Sequence, residues 1–262
     1  MFLTPRQVQI VDMAKSKGRV LVDELADTFN VTPQTIRRDL NELCTNAQLA
    51  RIHGGALYPT TNENLEYEQR RLIAADAKRA IGDATARLIP DNSSLFINIG
   101  TTTEAVAKAL LEHRNLLVFT NNINVANILR ECPSIEVILS GGVVRHSDGA
   151  LVGETAVDFF NRFKVDIAII GASAIDTTGS LLDFDLREVS VAQAIMSNSA
   201  RTILVTDATK FDRRAPMRIA DISRIDTFVT DRVPLPDFRA LLNKHKVRLV
   251  ETSVSEMNPE IS

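Results

Sequence analysis

Seven short apolar runs rich in β-branched residues recur between residues 95 and 251, and helical patterns separate several of them. Runs of this length are typical of strands buried on both faces, and their alternation with helices is typical of a parallel sheet. The runs are residues 95–99, 116–120, 136–139, 166–170, 202–206, 227–230 and 247–251, and the clearest helical patterns are residues 75–88, 103–111, 123–130 and 186–197. We therefore expect an α/β fold whose mostly parallel sheet is covered by helices on both faces.

The amino-terminal part of the chain has a different pattern. Residues 1–57 contain short helical patterns with little strand, and residues 58–71 are polar and nearly free of aliphatic side chains. A chain of 262 residues is long enough for more than one domain. We predict a first domain over residues 1–57, a linker over residues 58–74 and a second domain over residues 75–252.

Charge and cysteine content argue against several classes of protein. The net charge is −3, so any contact with nucleic acid has to come from a local patch. Cys44 and Cys132 match no metal or redox spacing and the four histidines are scattered, so we expect neither a metal site nor a cofactor. With no signal peptide or membrane-spanning stretch in the sequence, we expect a cytoplasmic protein.

The segment VDELADTFNVTPQTIRRDLNEL contains two short helical patterns joined by a tight turn. Thr32 suits the N-cap of the second helix, and Pro33 suits its first position because a proline there loses no hydrogen bond. Ile36, Leu40 and Leu43 then share one face of that helix. A capped second helix after a tight turn indicates a helix-turn-helix.

The outer face of the second helix carries residue types that hydrogen-bond bases and phosphates. They are Gln34, Arg37, Arg38 and Asn41. The alternative is an ordinary solvated face on which the arginines pair with Asp39 or Glu42.

A hairpin is predicted directly after that helix. LARIHGGALY has a β-capable run on either side of Gly54-Gly55, which is a tight-turn signal. Such a hairpin is the wing of a winged helix-turn-helix, and it would bring Arg51 and His53 to the DNA backbone.

The stretch LFINIGTTTEAV places a glycine and three hydroxyls between a strand and a helix. Gly100 allows close approach of a ligand, and Thr101, Thr102 and Thr103 then lie at a helix N-terminus, where negative charge is favoured. The loop matches neither a Walker loop nor a dinucleotide fingerprint, so a small phosphate or carboxylate is the candidate anion. A threonine that merely caps the helix would give the same pattern.

Two more turns follow strands in the same way. Asn121 and Asn122 come after the second strand, and Gly141 and Gly142 come after the third. Ligands of an open parallel sheet bind where the carboxyl ends of the strands meet, so the three turns together indicate one pocket, although each alone could be turn chemistry.

Acidic side chains and a lysine lie further along the chain. They are Asp176, Asp183, Asp185, Glu188, Asp207 and Lys210. A carboxylate and a lysine beside a sugar phosphate could move protons between adjacent carbons, or they could bind hydroxyls without reacting. A structural role remains open for each, so the residues leave enzyme and sensor as alternatives.

TPQTIRRDLNEL followed by RIHGGA resembles the signature of the DeoR family of bacterial repressors. The resemblance implies that Gln34, Thr35, Arg37 and Arg38 belong to the DNA-reading helix. The second domain resembles the sensor domain of the same family, which is itself similar to ribose-5-phosphate isomerases.

The isomerase resemblance implies a phosphate loop and an assisting lysine. The loop corresponds to Gly100, Thr101, Thr102 and Thr103, and the lysine to Lys78. The acidic pair and catalytic lysine of the isomerases have loose counterparts in Asp176, Glu188 and Lys210, but the spacing between them does not match. We therefore expect a sensor without enzymatic activity.

The family resemblance predicts a DNA-binding repressor that a phosphorylated metabolite releases from its operator. TNNINVANIL, SDGALVGE and GSLLDFD extend the resemblance and imply sn-glycerol 3-phosphate as the inducer, whereas the residues alone indicate only a phosphorylated small polyol or sugar. Because one helix-turn-helix reads few base pairs, we expect a homo-oligomer, either a dimer or a tetramer. The alternatives are a sugar-phosphate isomerase with a DNA-binding appendage, a repressor of another sugar phosphate, and a protein-binding winged helix.

Overall fold

The chain divides into two units, Met1–Ile73 and Ala74–Ser262. The computed structural model describes residues 3–17, 19–46, 48–52, 54–57 and 67–252. His53 and residues 58–66 of the predicted linker lie outside the described residues. No helix within the described ranges is long and apolar enough to cross a membrane.

The first unit contains the predicted helix-turn-helix and hairpin. Its elements are α1 (Pro5–Lys17), β1 (Arg19–Leu21), α2 (Val22–Phe29), α3 (Pro33–Thr45), β2 (Ala50–Ile52), β3 (Gly55–Leu57) and α4 (Tyr67–Leu72). The three strands form an antiparallel sheet in the order β1-β3-β2. Ile36, Leu40 and Leu43 of α3 are fully buried, as their spacing predicts. The cap is also as predicted, because the Thr32 hydroxyl accepts a hydrogen bond from the Thr35 N–H at 3.3 Å.

The second unit is built on a seven-stranded sheet. The strands are β4 (Ser94–Ile97), β5 (Leu116–Thr120), β6 (Ile135–Leu139), β9 (Val165–Ile170), β12 (Ser199–Val205), β14 (Thr227–Thr230) and β15 (Arg248–Glu251). Their order is β15-β14-β12-β9-β4-β5-β6, and every neighbouring pair is parallel. All seven predicted strands are therefore confirmed, within a few residues at their ends.

Helices cover the sheet on both faces. They are α5 (Ala75–Ala86), α6 (Thr101–Ala109), α7 (Ile123–Leu129), α8 (Glu154–Phe160), α9 (Leu186–Ser197) and α10 (Pro236–Lys244). Side chains of α5, α6 and α7 join one hydrophobic core, and those of α8, α9 and α10 join the other. Along β4, Leu95 and Ile97 enter the first core while Phe96 enters the second, since successive side chains point to opposite faces of a sheet.

Several short elements were not predicted. They are the ribbon of β7 (Val143–Val144) and β8 (Leu151–Val152), and the antiparallel sheet of β10 (Ala174–Ile175), β11 (Ser180–Asp183) and β13 (Met217–Asp221). The two-residue strands β7, β8 and β10 have too little alternation to be recognised from a pattern.

Helices α5 and α6 pack in backbone contact at Gly82. A Cβ atom at this position would lie 2.6 Å from the Ala105 carbonyl oxygen. We expect Gly82→Ala to destabilise the second unit by about 1–3 kcal/mol in urea unfolding, even though alanine favours a helix, because the two backbones have to separate.

Gly171→Ala is the matched control. Its Cβ would meet its nearest neighbours, Val205 O and Ile99 O, at 3.8 and 3.9 Å, which is ordinary contact. A Gly82→Ala protein as stable as the wild type would show that the helices can move apart without cost.

Candidate functional site

Helix α3 presents the predicted polar face to solvent. Gln34, Arg37, Arg38 and Asn41 are exposed, and Thr35 is half-buried. The Arg38 side chain is 83% exposed and lies 3.4 Å from Glu42 across one helical turn. An exposed pair of this kind contributes little to stability, so Arg38 can exchange Glu42 for another anion at small cost.

Two polar contacts attach α1 to α3. Arg6 Nε donates to the buried Asp39 carboxylate at 2.6 Å, and Gln7 Nε2 donates to Glu42 at 2.7 Å. The alternative interpretation of the polar face allowed its arginines to pair with Asp39 or Glu42. Arg38 does pair with Glu42, whereas Asp39 pairs with Arg6. No spacing in the sequence connects Arg6 with Asp39, because they are 33 residues apart.

The hairpin after α3 is formed by β2 and β3, which pair Arg51 with Ala56. It lies where the sequence predicts a wing. His53 lies outside the described residues.

In the second unit, the parallel strands bring their carboxyl ends to one edge of the sheet. Gly100 is the N-cap residue of α6, with φ 137°, a conformation that favours glycine. Helix α6 starts at Thr101, two residues earlier than predicted, and no side chain caps it. Thr102 and Thr103 are buried in its first turn, and the Thr103 hydroxyl donates to Gly100 O at 2.7 Å. The simple capping role that the sequence left open is therefore not the role of these threonines.

The turn after β5 contacts the start of α6 through Glu104. Asn124 Nδ2 donates to the Glu104 carboxylate at 3.0 Å, and Asn122 Nδ2 is 3.4 Å from the same oxygen. Asn122 also caps α7 by accepting from the Asn124 and Val125 N–H groups. The first two predicted turns are thus in contact.

The turn between β7 and β8 joins them through its backbone. The Asp148 carbonyl accepts from Asn124 Nδ2 at 3.1 Å, and the Gly149 carbonyl accepts from the Ile123 N–H at 3.3 Å. Gly141 and Gly142 follow β6 and are exposed. A Cβ atom on Gly142 would lie 3.2 Å from Val152 O of β8, so the predicted third turn, Gly141-Gly142, packs against the ribbon.

Buried polar atoms without a hydrogen-bond partner are concentrated at this edge. Among the described residues, such atoms lie at this edge on Asn121, Ser140, Thr206, Asp207 and Thr252, and elsewhere on His113. Each of the residues at this edge follows the end of β5, β6, β12 or β15 by one or two positions. Buried polar groups nearly always have a partner, so this edge has the hydrogen-bonding capacity to hold a polar ligand.

Two lysines that the sequence predicts as ligand-binding lie on elements next to α6 or at the carboxyl edge of the sheet. Lys78 is buried in α5, one turn before Gly82, where α5 contacts α6. Lys210 is half-buried in the short 3₁₀ helix Ala208–Asp212, which follows β12 at the carboxyl edge.

Asp176 directly follows β10 (Ala174–Ile175). Its carboxylate accepts hydrogen bonds from Thr178 N, Thr178 Oγ1 and Ser180 N, and so closes the turn between β10 and β11. Burial raises its pKa, but these hydrogen bonds outweigh burial and the pKa is lowered overall. The turn packs against Ile222, which precedes β14 and so lies towards the amino end of that strand. Asp176 therefore stabilises the turn between β10 and β11.

Glu188 lies in a cluster that the sequence did not indicate. Arg145 donates to both oxygens of Asp148, at 2.8 and 2.6 Å, and also contacts Glu188. Asp185, the N-cap of α9, lies 3.6 Å from Arg145. Burial, followed by the charge of Asp183, raises the pKa of Glu188 from 4.5 to about 7, against the opposing effect of Arg145.

This shift predicts a pH dependence of stability. The native state keeps a proton on Glu188 between pH 4.5 and about 7, where the unfolded chain has lost it, so this group destabilises the fold as the pH rises through that range. We compare the free energy of unfolding of Glu188→Gln with that of the wild type by urea unfolding. As the pH rises from 5 to 8, this difference should change by about 1–3 kcal/mol in favour of the variant.

Only the difference between variant and wild type is diagnostic, since other groups also titrate in this range. A difference that stays constant from pH 5 to pH 8 would contradict the assignment.

Two family models match the chain, one over each unit. The DeoR-like helix-turn-helix domain matches residues 6–62, and the DeoR C terminal sensor domain matches residues 73–232. The second match alone covers more than half of the chain.

Full-length relatives agree with the family models. The chain is 43% identical to the glycerol-3-phosphate regulon repressor of Escherichia coli (strain K12), covering 94% of this chain and 98% of the relative. It is 34% identical to the HTH-type transcriptional repressor CsqR of the same organism, covering 94% of each. It is 29% identical to the HTH-type transcriptional repressor GlcR of Bacillus subtilis (strain 168), covering 98% and 99%.

The chain also has a distant similarity to two solved structures. Ribose 5 phosphate isomerase A from Neisseria gonorrhoeae matches with a TM-score of 0.38 and 15% identity, covering 52% of this chain and 53% of that one. The delta subunit of eIF2B from Chaetomium thermophilum matches with a TM-score of 0.40 and 18% identity, covering 56% and 57%. These values are too low to support a functional conclusion. The two family models and the full-length relatives, by contrast, cover both units of the fold, and the chain belongs to the DeoR family, with a helix-turn-helix domain followed by a sensor domain.

Proposed function

We propose that the protein is a transcriptional repressor that binds operator DNA through α3. It is released from the operator when its second unit binds a phosphorylated small polyol. The proposed polyol is sn-glycerol 3-phosphate. The observation that carries the proposal is the row of unpartnered buried polar atoms along the carboxyl edge of the parallel sheet. The name of the Escherichia coli relative supports the choice of glycerol 3-phosphate.

The phosphate end of the ligand is assigned to the start of α6. The first N–H groups of this helix have no side-chain cap, and the positive end of the helix dipole favours an anion there. Thr101, Thr102 and Thr103 supply hydroxyls in the same turn. Lys78 adds a positive charge from the neighbouring helix.

The hydroxyl end is assigned to the polar residues after the other strands. Asn121 and Asp207 each keep an acceptor atom without a partner among the described residues. Carboxylate and amide oxygens accept hydrogen bonds from the hydroxyls of a polyol. Asn122, Gly141, Gly142, Glu188 and Lys210 complete the proposed pocket around them.

DNA contact is assigned to α3 and the wing. Gln34, Thr35, Arg37, Arg38 and Asn41 read the operator, and Arg51 and His53 contact its backbone. Ligand binding has to favour the arrangement that binds DNA poorly, and DNA then weakens ligand binding by the same factor. A homo-oligomer supplies the several helix-turn-helix units that an operator of repeated half-sites requires.

Catalysis is not part of the proposal. The carboxylate of Asp176 accepts hydrogen bonds from Thr178 and Ser180 within the turn between β10 and β11. These hydrogen bonds argue against Asp176 as a proton-transfer group in the isomerase alternative.

Arg38→Ala tests the DNA assignment. The variant should bind operator DNA, selected by the wild-type protein from a random library, about 1–3 kcal/mol more weakly in fluorescence anisotropy, because one base or phosphate contact is lost. Arg79→Ala is the matched control, since Arg79 is also an exposed helical arginine beside an acidic residue, Asp76. Equal operator affinity of Arg38→Ala and wild type would remove Arg38 from the DNA-reading face.

Thr102→Val combined with Lys78→Met tests the phosphate assignment. The double variant should still bind the operator, but its calorimetric affinity for glycerol 3-phosphate should fall by roughly tenfold or more, because hydrogen bonds to a charged group are lost. Release from the operator by the ligand should then require correspondingly more ligand.

Thr85→Val is the control for this variant, because Thr85 is also a buried threonine but donates to Ile81 within α5. Unchanged ligand affinity in the double variant would place the phosphate elsewhere. Conversion of glycerol 3-phosphate or ribose 5-phosphate by the wild-type protein would contradict a pure sensor.

A further inference from the structure

The side chain of Arg145 connects the segment between β7 and β8 to the first turn of α9. Its side chain is largely buried, with 15% exposed, and its guanidinium donates two parallel hydrogen bonds to Asp148. The same group contacts the carboxylate of Glu188 and lies near that of Asp185. A planar guanidinium that makes several such contacts fixes the orientation of its partners as well as their charge.

The segment that carries Arg145 is itself attached to the proposed pocket. Asp148 and Gly149 accept hydrogen bonds from Asn124 and Ile123 at the start of α7, and Asn121 Nδ2 donates to Leu151 O at 3.1 Å. Asn124 continues the connection to Glu104 in the first turn of α6. Arg145 thus places Glu188 relative to the loop assigned to the phosphate.

The contact between Arg145 and Glu188 offsets negative charge around Glu188. Asp183 on β11, Asp148 beside the ribbon and Asp185 at the start of α9 surround Glu188 with negative charge. Arg187 contacts Asp185 from an exposed position. In the ion pairs of the described residues, the cation that directly contacts Glu188 is Arg145.

We propose that Arg145 is a positioning residue that fixes the Glu188 carboxylate so that it accepts a hydroxyl of the ligand, and that Arg145 thereby sets the preference for hydroxylated over plain alkyl phosphates. The proposal rests on the proposed function, since it assigns part of the specificity of the same pocket. Arg145 itself does not touch the ligand.

The test compares two ligands that differ in their hydroxyls. Glycerol 3-phosphate and n-propyl phosphate share the phosphate and the carbon chain, so the ratio of their calorimetric affinities isolates hydroxyl recognition. Arg145→Gln should lower the affinity for glycerol 3-phosphate about tenfold while leaving that for n-propyl phosphate unchanged, because a hydrogen bond to a charged acceptor is misplaced. Arg187→Gln should leave both affinities unchanged, since Arg187 contacts Asp185 and is exposed.

The pH profile separates positioning from a merely structural role. In the wild type, the preference for glycerol 3-phosphate should increase as Glu188 ionises near pH 7. Loss of Arg145 raises the pKa of Glu188, so this increase should move to higher pH in Arg145→Gln. Arg145→Lys should return it towards the wild-type position, because the charge is restored without the planar geometry.

The following results would overturn the positioning role of Arg145. An unchanged preference in Arg145→Gln, or an equal loss of affinity for both ligands, overturns the proposal. If Arg145→Gln does not fold, an Arg145→Lys protein that keeps the wild-type preference for glycerol 3-phosphate overturns the geometric role. A wild type that binds both ligands equally overturns this proposal alone, whereas a wild type that binds neither overturns the proposed function and this inference with it.

Discussion

Parallel strand pairing is the constraint on which the second unit depends. Since every neighbouring pair in the seven-stranded sheet is parallel, each connection has to cross back over a face, and each strand delivers the residues after it to the same edge. Segments far apart in sequence, such as the start of α6 and the turn after β12, therefore lie at one edge. The hydrophobic cores on the two faces hold this arrangement without using the polar residues at the edge.

The same constraint explains what the sequence could predict. A strand buried on both faces leaves a continuous apolar run, so the seven strands were recognisable, and the face of α3 was recognisable because Ile36, Leu40 and Leu43 repeat at helical spacing. Gly100 and the threonines after it were found for the same reason, since a local strand–turn–helix pattern contains them. The predicted domain limits and the roles of the site residues remain predictions.

Contacts between distant segments could not be predicted. Arg6 and Asp39 are 33 residues apart, and Arg145 and Glu188 are 43 apart, so no periodicity relates them. Asp176 shows a different difficulty, which is that one side chain fits two roles. An aspartate is suited both to a ligand site and to a turn. Only the hydrogen bonds from Thr178 and Ser180 distinguish the two roles.

The backbone contact between α5 and α6 has a consequence for the anion end of the pocket. Because Gly82 has no side chain, the distance between the two helices is set by backbone atoms, which cannot change rotamer to accommodate movement. Lys78, one turn away on α5, is therefore carried by a helix whose position is fixed against α6, which begins with the three threonines. In the proposed pocket, the lysine and the hydroxyls would then move as one rigid body, and the selection of ligands by size would fall to the turns that follow the other strands.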